Sequence, residues 1–141
     1  MMVSSRMNGT IDKFKELEPL AQLLAPLRAK GKKIVHCHGV FDLLHIGHIR
    51  HFEQAKTLGD VLIVTITPDR YVNKGPHRPA FPESLRAEAI AALDCVDFVA
   101  INKWPMAIEA IHLLQPDVYV KGSEYRAAEK DRTGGIALEE Y

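Results

Sequence analysis

Residues 34–66 read IVHCHGVFDLLHIGHIRHFEQAKTLGDVLIVTI, and the fold turns on this stretch. Ile34 to His38 is a short β-run that ends in a glycine turn at Gly39. From about Ile46 to Leu58 the pattern becomes helical: Ile49, Phe52 and Ala55 recur every three residues on one face, and Gly59 is placed as the stop beyond the C-terminus. Val61 to Ile66 is β-branched and continuously apolar, as a strand covered on both faces should be. Strand, helix and strand in that order predict parallel neighbours joined by a crossover.

The same alternation continues outward. Pro68 to Pro82 is rich in proline and charge and predicts a loop. Pro82 opens a helix to about Leu93, Asp97 to Ile101 is the next strand, Pro105 starts a helix to about Leu114, and Val118 to Val120 is a further strand. Upstream, residues 17–30 form an apolar-rich helix, interrupted or bent at Pro26. The whole predicts an α/β protein with a doubly wound parallel sheet, which takes its ligands at the carboxyl ends of the strands.

Composition narrows the function classes. Lysine plus arginine and aspartate plus glutamate number 18 each, so the basic excess of a general nucleic-acid binder is missing. No apolar run is long enough to span a bilayer, and Met1 to Thr10 lacks a signal-peptide core and reads as a flexible leader or an expression remnant. Cys37 and Cys95 lie in separate apolar runs without metal spacing, which predicts buried free thiols and a reducing, cytoplasmic setting.

The loop after the first strand carries the chemistry. Gly39 lets the chain turn where the strand stops, and His45 and His48 stand three apart at a helix opening, on one face. Gly47 between them removes a side chain, so a ligand can approach the backbone. A helix start offers unpaired N–H groups and partial positive charge, and two imidazoles add donors; together they suit a phosphate chain. Two other readings compete: the histidines could simply cap the helix or line a core, or they could hold zinc. Zinc would need a third ligand, for which only Asp42 or His51 lies near.

Gly39 to Leu58 resembles the signature of the cytidylyltransferase-like branch of the nucleotidyltransferase superfamily, which includes glycerol-3-phosphate cytidylyltransferase. Further blocks, in order, are similar to the nucleotidyl domain of bacterial bifunctional heptose kinase/adenylyltransferases: Leu58-Gly59-Asp60-Val61-Leu62-Ile63-Val64, Lys74-Gly75-Pro76 with Arg78-Pro79, Val96-Asp97, and Pro116 to Tyr125. Class I aminoacyl-tRNA synthetases share the histidine signature, but this chain is too short and lacks their lysine-serine signature.

The resemblance implies a Rossmann-like, HIGH-type nucleotidyltransferase fold and the transfer of a nucleoside monophosphate from ATP or CTP to a sugar or polyol phosphate, with pyrophosphate released. It implies catalytic roles for His45, His48, Lys74 and Arg86, and nucleotide contacts from Gly39, Val40, Phe41, Asp42, Gly47, Lys121, Gly122 and Tyr125. Arg78 is a second candidate cation, weighed against a solvated surface charge. Magnesium accompanies the triphosphate, with no direct protein ligand assigned; Asp42 is expected to orient the turn. Two alternatives stay open: a nucleotide-binding module without catalysis, and adenylyl transfer of the pantetheine-phosphate type. The resemblance also implies pairing as a homodimer, while the balanced charge and the lack of a spanning apolar run lead to the expectation of no nucleic-acid or membrane partner.

The pattern departs at its end. Arg132-Thr133-Gly134-Gly135-Ile136 resembles the lead into the family's serine/threonine-rich triphosphate grip, but Ala137-Leu138 replace the hydroxyls. The spacing from Tyr125 to Arg132 reads as too short for an intervening strand, so Tyr125 to Tyr141 is expected to be a loop leading into a charged helix. The expected division is a leader and helix over 1–32, a transferase core over 33–125 and a truncated segment over 126–141, with a sugar kinase domain following in some relatives.

Overall fold

The computed structural model describes residues 12–72 and 75–121, and the backbone of Ala127–Glu129. In chain order the elements are α1 (Leu17–Ala29), β1 (Ile34–Gly39), α2 (Ile46–Lys56), β2 (Val61–Ile66), a 3₁₀ turn (Asp69–Tyr71), α3 (Glu83–Ala91), β3 (Phe98–Ile101), α4 (Ile108–Leu114), β4 (Val118–Val120) and β5 (Ala127–Glu129). The sheet runs β3-β2-β1-β4-β5, with β1 to β4 parallel and β5 antiparallel to β4. The short strand β5 corrects the expectation of a loop after Tyr125: three residues suffice to add an edge strand when only Val118–Val120 must be matched.

Period-two alternation along the strands sends side chains to opposite faces. Val35, Cys37, Leu62, Val64 and Ile66 pack with Phe52 and Ala55 of α2 and with Ala87, Ile90 and Ala91 of α3. Ile34, Val61 and Ile63 face the other way, onto Leu17, Leu20 and Leu24 of α1 and Leu114 of α4. Both faces are covered, so the expected doubly wound α/β sheet is the one observed. No helix among the described residues is long and apolar enough to cross a membrane.

Several boundaries differ from expectation for local reasons. Helix α1 continues through Pro26 to Ala29, and the proline forgoes the one hydrogen bond its N–H would have given to the carbonyl four residues back. Helix α2 stops at Lys56, and Gly59 is not its left-handed stop; a β-carbon there would meet Lys33 O at 2.8 Å and Val35 Cγ2 at 2.7 Å. Gly59 therefore serves the close approach of the α2–β2 connection to the start of β1. Pro82 caps α3 from outside rather than opening it. Helix α4 begins at Ile108 and not at Pro105, since the buried Asn102 side chain donates to Trp104 O at 2.9 Å and Met106 O at 2.8 Å and holds the intervening residues in a loop. Cys37 is buried, whereas Cys95 is only half-buried.

Candidate active site

Strand β1 has β2 on one side and β4 on the other. The crossover direction thus reverses at β1, which opens a crevice at the carboxyl ends of β1 and β4. Cys37 pairs with Val120, so the residues just beyond them, the Gly39–Asp42 turn and the half-buried Lys121, stand at the mouth of one crevice. Lys74, Gly122 and Tyr125 lie outside the described residues.

The tight turn after β1 is made at Phe41 rather than at Gly39. Phe41 takes a left-handed φ of 50°, unusual for a residue with a side chain. Its ring accounts for this: it lies edge-on to Phe52 at 5.0 Å and to His48 at 5.6 Å, anchoring the turn to the core. Gly39 makes room for that ring, since a β-carbon would sit 2.7 Å from Phe41 Cζ.

His45 is the N-cap of α2. Its Nδ1 accepts from Gly47 N at 3.0 Å, and His48 Nδ1 accepts in return from His45 N at 3.2 Å. The rings stack tilted, 4.0 Å between centroids. The helix-capping reading of the sequence is therefore correct, and it does not compete with phosphate binding. A neutral imidazole that accepts through Nδ1 carries its proton on Nε2, so the cap fixes both rings in the tautomer that donates from Nε2. Gly47 serves the same device, because a β-carbon there would meet His45 Cε1 at 2.7 Å.

Asp42 is buried. It accepts from Ala80 N at 2.8 Å and Phe81 N at 3.0 Å and pairs with Arg78 Nε at 3.0 Å. Burial alone would raise its carboxyl, but the two amides and the charges of Arg78 and Arg86 hold it below the usual carboxylate value. Arg78 is thus an ion-pair partner rather than a solvated charge.

Arg86 is 2% exposed. Its Nε donates to Phe81 O at 3.0 Å, Nη1 to Val40 O at 2.9 Å and Thr67 O at 2.8 Å, and Nη2 to Asp69 Oδ1 at 2.6 Å. One guanidinium so ties the turn after β1 to both ends of the loop that carries Lys74. Glu83 adds to the base of that loop by accepting from Asp69 N at 2.7 Å.

Sequence reading passed over a buried polar cluster beneath the turn. His36 Nε2 lies 2.7 Å from Thr65 Oγ1, His38 Nδ1 lies 2.8 Å from the same hydroxyl, and His38 Nε2 lies 3.4 Å from Thr67 Oγ1. The signal was present: His36 and His38, like Thr65 and Thr67, are two apart and so share one strand face. Burial pushes His36 down to about 3, with the nearby His38 adding to the effect, and burial pushes His38 down to about 4.

This burial has a consequence for stability. In the unfolded chain both rings take up protons near pH 6.5, whereas in the fold they resist until about 4 and 3. Between those values the unfolded state binds more protons, so stability falls as pH falls. On going from pH 7.5 to 5 each ring is expected to remove roughly 2 kcal/mol. Denaturation at both pH values checks this, and His36→Phe should abolish about half of the difference.

The cytidylyltransferase-like family model matches residues 36–134, farther along the chain than the blocks noted above. Among curated proteins, the bifunctional protein HldE of Geotalea uraniireducens is 44% identical over 115 residues, covering 80% of this chain and 24% of that protein. The bifunctional protein HldE of Trichlorobacter lovleyi is 40% identical over 125 residues, covering 87% and 26%. The chain spans about a quarter of the length of these relatives. A crystal structure of the lipopolysaccharide core biosynthesis protein from Thermoplasma volcanium is 32% identical with a TM-score of 0.57, covering 62% of this chain and 72% of that one.

Proposed function

The chain belongs to the cytidylyltransferase-like family of nucleotidyltransferases, and on that footing we propose that it transfers a nucleoside monophosphate from ATP or CTP to a sugar or polyol phosphate, releasing pyrophosphate. The observation that carries this reading is the reciprocal histidine cap, which sets two Nε2–H donors at a helix start beside the crevice.

In this proposal the triphosphate lies over the Gly39–Asp42 turn, and an oxygen of the acceptor's phosphate attacks the α-phosphorus in line. The bond from that phosphorus to the oxygen leading to the β-phosphate breaks, and pyrophosphate leaves with the electron pair. Such chemistry depends on positioning and on stabilising charge. His45 and His48 stabilise the charge developing on the α-phosphate and the bridging oxygen, through donors that need no reorientation during the reaction. Lys74, on the loop that Arg86 and Asp42 anchor, and Lys121 supply positive charge to the phosphates. Asp42 has both carboxylate oxygens engaged by the loop, so we assign it the orienting role. Magnesium enters as part of the substrate, its shell completed by phosphate oxygens and water.

The resemblance to heptose-type sequences favours ATP over CTP. The relatives' description as bifunctional supports a setting in which this domain works beside a second activity, which we take to be a sugar kinase. The test is to incubate the protein with each triphosphate, magnesium and a panel of sugar 1-phosphates, and to measure pyrophosphate. Release with one pairing is expected. Tight triphosphate binding in calorimetry with no release from any pairing would overturn catalysis and leave a binding module.

A further inference from the structure

The His36–Thr65–His38–Thr67 cluster has a direction that follows from one orphan atom. His36 Nδ1 is buried without a hydrogen-bond partner. An orphaned acceptor is tolerated more readily than an orphaned donor, so His36 carries its proton on Nε2. His36 Nε2–H then donates to Thr65 Oγ1, and Thr65 O–H in turn donates to His38 Nδ1. That leaves the His38 proton on Nε2, which faces Thr67 Oγ1. Each step fixes the next, and the chain runs from the middle of the sheet toward its carboxyl edge.

Thr67 ends the chain just beyond β2, at the carboxyl edge of the sheet and beside the turn that follows β1. Its N–H donates to Gly39 O at 3.0 Å and its carbonyl accepts from Arg86 at 2.8 Å. Its hydroxyl oxygen faces a donor, so the hydroxyl proton must point elsewhere. No acceptor for that proton is found among the described residues, although Thr67 is only 6% exposed. The apolar neighbours Ile34 and Ile63 on the same face show that polar side chains are not needed to fill it. Buried polar networks that stability alone does not require tend to mark functional positions.

We propose that the Thr67 hydroxyl donates a hydrogen bond to an oxygen of the bound nucleotide, and that Thr65 and His38 are positioning residues that orient it. This rests on the nucleotidyl-transfer reading above. It adds a contact that the histidine signature does not contain, made from the end of β2.

The test uses Thr67→Val, Thr65→Val and Thr65→Ser, with kcat, the KM for the triphosphate and the melting temperature measured for each. Binding of a non-hydrolysable triphosphate is followed by calorimetry in parallel. Thr67→Val should raise KM and Kd about tenfold, as loss of one charge-assisted bond does, with kcat within about twofold. Thr65→Val, which touches no ligand, should raise KM several-fold in the same direction, and Thr65→Ser should restore it. Thr67→Ala replaces Thr67→Val if the latter fails to fold. Melting temperatures that fall while KM and Kd stay at wild-type values would overturn the proposal and leave the chain a packing device. Wild-type protein that binds the triphosphate without turnover would sink the transferase reading alone, because Kd still reports the Thr67 contact. No triphosphate binding by the wild type would overturn both.

Discussion

His48→Ala is expected to lower kcat for pyrophosphate release about a hundredfold or more while the protein stays folded. Removing one preorganised donor to a developing oxyanion has an effect of that order. The same substitution also removes the acceptor for His45 N, and loss of a cap costs about 1 kcal/mol. The two consequences can be separated. The side-chain oxygen of asparagine can accept from His45 N, but its amide does not reach where the imidazole Nε2–H reaches. His48→Asn should therefore recover most of the lost stability and little of the lost turnover. If His48→Asn recovered both together, the histidines would be caps and nothing more. His45→Ala should show the same division, and the double variant should be less than the product of the singles, because each ring orients the other.

How much of this was legible in the sequence depended on whether the signal was local. The β1–α2–β2 unit was, because a largely apolar run such as Val61–Ile66 and a helix with Phe52 and Ala55 on one face are set by their own periodicity. Both histidines were also placed correctly at the start of α2, since a cap is a matter of residues three apart. The element ends were less legible, because tertiary contacts decide them. Gly59 looks like a helix stop in sequence but answers to Lys33 and Val35, more than twenty positions upstream. Pro105 looks like a helix start, but the Asn102 side chain claims the carbonyls that follow. The polar ladder of β1 and β2 went unread because each segment alone offers only two unremarkable polar residues, His36 and His38 in β1 and Thr65 and Thr67 in and just beyond β2. Pairing in register, with His38 opposite Thr65, turns them into a network.

Arg86 carries the second large effect. The resemblance placed it among the catalytic residues, and its side chain does reach the turn that forms the site. There it binds protein: the carbonyls of Val40, Thr67 and Phe81, and the Asp69 carboxylate. A buried cation so engaged is costly to remove, because four partners lose their donor at once. Arg86→Met is expected to cost about 3–5 kcal/mol of stability, read from chemical denaturation. Arg86→Lys keeps the charge, but a single ammonium cannot span four acceptors that lie around a planar fork. It should stay folded at neutral pH, lose part of that stability, and turn over at least about tenfold more slowly, because displacing a site by about an ångström can have that effect. Whether Arg86 works by bracing the loops or by touching phosphate is decided at Asp69. Asp69→Asn leaves the guanidinium in place but weakens its grip on the start of the Lys74 loop. A brace predicts that Asp69→Asn reproduces part of the Arg86→Lys defect, in kcat and KM together. A direct phosphate contact predicts that Asp69→Asn leaves turnover unchanged, since the freed Nη2 would face the triphosphate as well as before.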